Sequence, residues 1–288
     1  MTPPVTLQAG QEAELDAFLA GHARASMYLR SALSDGAAPD NFAVARRDGK
    51  IAGAAGQLAS GMMALQAALG AGALAGAVLR ATGRRLAGSL GPFEQVQAAR
   101  REIGLDAADL IKDTHEDLFA LALRDLRRPA VLASEQVFCR LARPGDAELL
   151  IAWRIAFRRA ALNDVEGEGL LTASRSDIAN LLPAGSLFVL ESDRPLACCS
   201  FNARLPDIVQ IGNVWTPPSL RGQGYGRAVV AGALAIAQQG GVRDAVLTTG
   251  RQNLPAQAAY RSLGFALAGD YATATLSPLQ RNTGFKFC

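Results

Sequence analysis

Arg221-Gly222-Gln223-Gly224-Tyr225-Gly226 is the stretch from which the rest of this chain can be read. A strand-like run, Ile208 to Thr216, and a Pro-Pro turn precede it, and a helix-like run, Arg227 to Gln239, follows. A glycine-rich turn feeding a helix leaves backbone N–H groups unpaired at the positive end of the helix dipole. Such a turn binds phosphate groups, because glycines admit oxygens that side chains would block. The pattern is R-x-x-G-x-G. It differs from the dinucleotide fingerprint G-x-G-x-x-G and from a P-loop, which ends in Gly-Lys-Ser/Thr. Alone it has two readings, a phosphate cradle or a structural turn.

A second segment decides between them. Ala245-Val246-Leu247-Thr248-Thr249 reads as a short buried strand. After it comes Asn253-Leu254-Pro255-Ala256-Gln257-Ala258-Ala259-Tyr260-Arg261-Ser262-Leu263-Gly264-Phe265. The order strand, Gly-rich turn, helix, strand, helix, Gly-Phe resembles the GNAT superfamily of acyl-CoA-dependent N-acetyltransferases. Arg221, Gly224 and Gly226 match the family's pyrophosphate loop, R/Q-x-x-G-x-G/A. Asn253, Ala256, Tyr260, Gly264 and Phe265 match its second motif, N-x-x-A-x-x-x-Y-x-x-x-G-F. The resemblance covers the C-terminal half.

The chain has 288 residues, half of them apolar, which suits about two domains with real cores. With 29 basic and 26 acidic residues it is close to neutral. Pairs such as Arg84-Arg85, Arg100-Arg101 and Arg127-Arg128 read as solvated faces, not as a nucleic-acid stripe. Cys139, Cys198, Cys199 and Cys288 lack metal-ligand spacing, so no metal is expected. Free thiols in a reducing cytoplasm are the simpler reading, and no signal peptide opens the sequence. Ile51 to Leu79 carries no charge and is long enough to span a bilayer. It is built of Ala and Gly, broken by Gln57, Ser60 and Gln66, and it lacks aromatic anchors. A buried sheet plus a helix is expected there, not a membrane span.

An internal comparison supports that reading. Leu187–Leu190, a turn at Ser192–Pro195, and Leu196–Asn202 are matched by Phe42–Ala45, a turn at Asp48–Lys50, and Ile51–Leu58. Each half then shows a third strand, a glycine-containing turn (Gly70-Ala71-Gly72 in the first) and an Ala/Leu-rich helix. Setting Gly104-Leu105 against Gly264-Phe265 puts Arg100 at the place of Tyr260, Val96 at that of Ala256 and Phe93 at that of Asn253. No arginine precedes Gly70 as Arg221 precedes Gly224. The fold expected is thus α/β with mixed sheets, in two GNAT-like domains. Residues 1–130 would be a degenerate domain ending in a strand at Leu118–Leu126, and Arg127-Arg128-Pro129 a linker. Residues 131–288 would be the active domain. It should begin with a strand at Gln136–Leu141 and a helix at Asp146–Arg159 bearing Leu149, Leu150, Trp153 and Phe157 on one face. A second helix, capped by Thr172 or Ser174, should end before Pro183.

The resemblance implies the chemistry. Acetyl-CoA would lie across a splay between the strands at Ile208–Thr216 and Ala245–Thr249, its pantetheine against Val214, Trp215 and Thr216. Its diphosphate would rest on Arg221, Gly222, Gln223, Gly224, Tyr225 and Gly226, with Asn253 nearby. A primary amine would attack the thioester, so an oxyanion must be stabilised and a thiolate protonated. A backbone N–H near Trp215 suits the first task, and Tyr260 occupies the family's thiolate-protonating position. A tyrosine of ordinary pKa, about 10, stays protonated at neutral pH. The glutamate that many relatives carry on the strand before the loop is replaced by Gln210 and Asn213. Asp207 or Glu191 acting through water, or no dedicated base, are the alternatives. The loop Asn163-Asp164-Val165-Glu166-Gly167-Glu168-Gly169 clusters three carboxylates that would either draw a cationic amine or form an exposed acidic loop that aids solubility. A non-catalytic acyl-CoA-binding module remains a second reading. The tandem plan is also similar to the mycothiol-synthase type of double GNAT enzyme, a likeness of architecture alone.

Overall fold

A computed structural model describes residues 2–105, 107–133, 136–162, 164 and 166–276. The chain passes twice through the same order of ten elements. The first pass is β1 (Val5–Thr6), α1 (Glu12–Ala20), α2 (Met27–Ser34), β2 (Phe42–Arg47), β3 (Lys50–Gln57), β4 (Met62–Ala67), α3 (Ala71–Thr82), β5 (Gly88–Pro92), α4 (Phe93–Glu102) and β6 (Leu110–Ala122). The second is β7 (Phe138–Leu141), α5 (Ala147–Leu162), α6 (Glu168–Leu181), β8 (Leu187–Glu191), β9 (Pro195–Arg204), β10 (Ile208–Trp215), α7 (Tyr225–Gln239), β11 (Asp244–Gly250), α8 (Leu254–Ser262) and β12 (Ala266–Leu276). The uncharged stretch from Ile51 to Leu79 forms β3, β4 and most of α3, and among the described residues no helix is long and apolar enough to cross a membrane.

Two compact units result, and they interleave in sequence. One comprises residues 1–118, 249–252 and 267–288, and the other 119–248 and 253–266. In the first, hydrogen-bonded strands run β1-β2-β3-β4-β5-β12. All neighbours there are antiparallel except β4 and β5, which pair from Met62↔Gly88 to Ala64↔Leu90. Small residues on the strands (Ala43, Ala45, Ala55) let α3 settle closely with Leu74 and Val78 buried. In the second, the strands run β11-β10-β9-β8-β7, with β10 and β11 parallel. Alternation along β8 sends Phe188 and Leu190 to the core under α7, and Leu187 and Val189 to a second cluster under α5 and α6.

Neither packing unit is continuous in sequence. Leu123 N–H donates to Arg243 O at 2.7 Å, and Arg127 N–H to Leu263 O at 3.0 Å, which ties residues after Leu118 to the second unit. The strand expected at Leu118–Leu126 starts at Leu110 and ends at Ala122. Its first half is polar and carries no apolar alternation, but its groups find distant partners: Thr114 donates to Thr273 O, and Asp117 accepts from Arg251. The strand expected from Gln136 begins at Phe138, and the helix expected from Asp146 to Arg159 runs from Ala147 to Leu162. Helix α6 begins at Glu168, six residues before Ser174, so Thr172 and Ser174 lie within it and cap nothing. A carboxylate in that first turn favours the positive end of the helix.

Candidate functional site

Two strands prepare the site. β10 and β11 pair in parallel from Ile208↔Asp244 to Ile211↔Leu247 and the register stops there, while β10 continues along β9 to Trp215↔Cys198. Between Gly212 and Trp215 the β9–β10 register shifts by a bulge, with Asn213 in left-handed backbone geometry at φ 53°. An extra residue reverses which face later side chains take. Val209 and Ile211 point to the α7 core, and Val214 packs against that same core. Trp215 instead joins Leu150 and Ile178 on the opposite face. Without the bulge Trp215 would share the face of Ile211.

The loop after β10 leads directly into α7. Gly222 (φ 79°) and Gly224 (φ 80°) both occupy the left-handed region, which a Cβ makes costly, and Gly224 is the residue immediately before the helix. Tyr225 opens α7 and packs partly against its core, whereas Gln223 is exposed. The Arg221 guanidinium lies 4.9 Å over the Trp215 ring, and its Nε donates to Thr216 O at 3.2 Å. Gly226 faces Thr216, its Cβ position 3.4 Å from the hydroxyl.

Beneath α5 and α6 lies a small, largely apolar pocket. Helix α5 lines it with Leu150, Trp153, Arg154 and Phe157, and α6 with Ile178 and Leu181. The strands add Leu187, Cys198, Asn213 and Trp215. Trp215 and Phe157 meet edge to face with ring centroids 6.4 Å apart. Among the described residues, the Trp215 indole N–H and the Ser174 hydroxyl are both buried without a hydrogen-bond partner. Burial pushes the Cys198 thiol up to about 12, against the opposing influence of Arg154 and the Trp215 backbone N–H. A thiol, not a thiolate, thus faces the pocket at neutral pH.

A polar network holds one wall. Arg154 donates to Asp177 at 2.7 Å and also to Asn213 Oδ1. The Asn213 amide donates to Ser200 Oγ at 2.7 Å and Asn202 Oδ1 at 3.0 Å. Arg158 joins Asp177 at 3.0 Å to Asp164 at 2.7 Å. Sequence reading missed Arg154, Asp177, Ser200 and Asn202; it read Trp153 and Phe157 most simply as core, while leaving residues of their helix open to an acceptor site. Only the spacing of Arg154 and Arg158, one turn apart on α5, was a visible signal.

The acidic loop differs from expectation. Asp164 is ion-paired with Arg158, and Glu166 lies 3.5 Å from Arg159, so two of its three carboxylates are already answered. Asn163 and Val165 of that loop, like Cys288, lie outside the described residues. Neither candidate base reaches the pocket wall. Glu191 is bound by Arg140, which also pairs with Asp146 at 2.7 Å, and Asp207 precedes the first residue of β10, its carboxylate 3.7 Å from Arg243.

Tyr260 is buried within the α7-side core, its ring 6.1 Å from Phe265. Burial, with a smaller influence from Cys199, raises its hydroxyl well above the ordinary value of 10. It therefore stays protonated more firmly than an ordinary tyrosine. Asn253 caps α8, its Oδ1 accepting from Ala256 N–H at 3.4 Å, so at least one of its roles is structural.

The corresponding turn in the first unit is occupied by the chain itself. Gly70 precedes α3 in left-handed geometry, as Gly224 precedes α7. At α3, however, Glu102 Oε2 accepts from Ala73 N–H at 3.1 Å, and a Cβ on Gly72 would come within 2.7 Å of that oxygen. Arg100, at the place of Tyr260, is buried and paired with Asp113 at 2.7 Å.

Residues 153–265 match the model of the Acetyltransferase (GNAT) family. A GNAT-family acetyltransferase from Colwellia psychrerythraea is similar in structure (TM-score 0.52, 15% identity, 96% of this chain and 100% of that one). So is a Drosophila protein (TM-score 0.59, 13% identity, 95% and 99%). A tandem GNAT protein from the clavulanic acid biosynthesis pathway also matches over both halves (TM-score 0.55, 14% identity, 96% and 98%). At these identities the structural likenesses speak for the fold, two GNAT-like halves. No curated protein matches the sequence.

Proposed function

Because the chain carries an Acetyltransferase (GNAT) family domain in residues 153–265, we propose that it transfers an acetyl group from acetyl-CoA to a primary amine of a small molecule or peptide. The observation that carries this reading is the pairing of two features: a left-handed glycine turn opening α7, and a parallel strand pair whose register stops at Ile211 and Leu247. The turn offers N–H groups and a helix dipole to a diphosphate, with Arg221 to Gly226 as its cradle and Asn253 beside it. The end of β10 at Val214 and Trp215, past its pairing with β11, and Thr216 beyond it offer backbone groups to an extended amide chain.

In this reading the neutral acceptor amine attacks the thioester carbon, the C–S bond breaks, the leaving thiolate takes its proton from Tyr260, and the proton lost by the amine nitrogen passes to water, from which the tyrosine is reprotonated. The α7 core that holds Tyr260 and the pocket that holds Trp215 lie on opposite faces of the sheet. Cofactor and acceptor would then meet from the two faces at the open strand ends. Acetyl-CoA is a co-substrate, and the scheme requires no metal. We place the binding site in the second half of the chain, with residues 1–130 a degenerate domain and 131–288 the active one. Glu102 at the head of α3 and Arg100 in place of Tyr260 support that division. The three described cysteines are free thiols, which accords with a cytoplasmic protein. The test is release of CoA thiol from acetyl-CoA across a panel of amines. Binding of CoA with no turnover on any amine would replace the enzyme with an acyl-CoA-binding module.

A further inference from the structure

We propose that residues 119–127, the tail of the first pass through the fold and the turn after it, form the seat that aims Tyr260 at the leaving thiolate, with Phe119 and Leu121 as positioning residues. The inference rests on the transfer reading above and adds to that site residues from the end of the first pass. All of them pack inside the second unit.

The seat holds the C-terminal end of α8. Arg127 N–H donates to Leu263 O at 3.0 Å. Gly264 takes φ 104°, and a Cβ there would stand 2.9 Å from Asp125 O and 3.1 Å from Leu121 Cδ1. The Arg261 guanidinium lies 4.9 Å over the Phe119 ring. Phe119, Leu121 and Leu123 are buried in one cluster with Tyr260, Leu263 and Phe265. The residues so held are bonded in turn to Tyr260, whose carbonyl oxygen accepts from Leu263 N–H at 3.0 Å and from Phe265 N–H at 3.2 Å. The seat is itself fixed, because Leu123 N–H donates to Arg243 O at 2.7 Å and Leu123 O accepts from Gln238 at 3.0 Å.

Helix α8 has nine residues, fewer than the roughly 12–15 that an isolated helix needs. Its direction is therefore set by what it packs against. A misplacement of about 1 Å at a reacting group can cost about a hundredfold in rate. A gap beside Gly264 should thus act on proton delivery. The glycine turn of the cofactor cradle opens α7 at the end opposite Gln238, so it should be left intact.

Leu121→Ala opens that gap in the full-length protein, and Leu121→Val opens a smaller one should the first fail to fold. With acetyl-CoA and the best amine, Leu121→Ala should lower kcat about five- to thirtyfold and keep KM for acetyl-CoA within about twofold. Added to Tyr260→Phe, it should lower kcat by less than about twofold more, because the donor it aims is already gone. General loosening would lower kcat by the same factor in both backgrounds. Val78→Ala, a truncation in the first unit's core, should lower Tm and keep kcat. A second readout needs no turnover. In fluorine NMR of fluorotyrosine-labelled protein, the Tyr260 signal is the one missing from Tyr260→Phe. Leu121→Ala, and Leu121→Val to a lesser degree, should shift or broaden that signal, and Val78→Ala should not. An unmoved Tyr260 signal, or equal losses of kcat in the two backgrounds, would overturn the proposal. A moved signal in a protein that acetylates no amine would uphold the seat's hold on α8 and overturn the transfer reading instead.

Discussion

The Glu102 carboxylate accepts a hydrogen bond from Ala73 N–H at 3.1 Å, in the first turn of α3. The chain thus supplies its own anion at the helix terminus where the second half leaves the α7 terminus to a glycine turn. Calorimetry should therefore give one CoA site per chain. Glu102→Ala should lower Tm by about 1–3 °C, since an exposed carboxylate at a helix N-terminus contributes about 0.3–1 kcal/mol. It should leave CoA affinity within about twofold. Two equivalent sites in the wild-type protein would contradict this reading of the first unit.

Gly224 holds φ at 80°, a conformation that a β-branched side chain resists by roughly 1–3 kcal/mol. Gly224→Val should weaken CoA at least about tenfold, because the turn must either strain or turn its N–H groups away. A variant with unchanged affinity would remove the loop from the cofactor site.

Tyr260→Phe separates chemistry from binding. Turnover should fall by about 10²–10⁴-fold, the usual worth of a positioned general acid, with CoA affinity kept. The same hydroxyl shapes stability in alkali. Burial raises it, so above pH 10 the unfolded state releases a proton that the folded state retains, and stability falls as pH rises. Between pH 10 and 11 the Tyr260→Phe variant should lose less Tm than the wild type. Wild-type turnover in the variant would make Tyr260 a packing residue.

Asn213 is bound on both sides of its amide and bears the strain of the β10 bulge. Asn213→Ala should cost roughly 2–3 kcal/mol, combining left-handed backbone strain with the loss of one acceptor for the Arg154 guanidinium, which keeps Asp177. That corresponds to about 5–10 °C of Tm. Asn213→Gly should recover the backbone share and not the rest. If Ala and Gly variants melt together, backbone strain contributes nothing measurable there.

Arg158 and Arg159 already answer Asp164 and Glu166, so the acidic loop should exert little long-range pull on substrates. KM for the best amine should change less than about twofold as the Debye length shrinks from roughly 10 Å at 0.1 M salt to 3 Å at 1 M. A KM that rises steeply with salt would restore the steering role read from the loop's composition.

Local sequence was enough for the elements. The β-branched run Ala245–Thr249 sits within β11, and the glycine turn at Arg221–Gly226 leads into α7, because strand alternation and helix-opening glycines are properties of neighbouring residues. The repeat of strand, turn, strand, third strand, glycine turn and helix from Phe42 onward was legible for the same reason, whereas β1, α1 and α2 were not read. Tertiary contacts decided the rest. Nothing near Leu110 announces a strand, since its polar residues are satisfied by Thr273 and Arg251, far along the chain. Arg154 and Asp177 are separated by 23 residues and meet only when α5 packs on α6. The face that Trp215 takes is the clearest case. Period-two alternation assigns it to the side of Ile211, but a one-residue bulge at Asn213, pinned by Ser200, Asn202 and Arg154, turns it into the pocket. A bulge is a relation between two strands, so it forms only when both are in place.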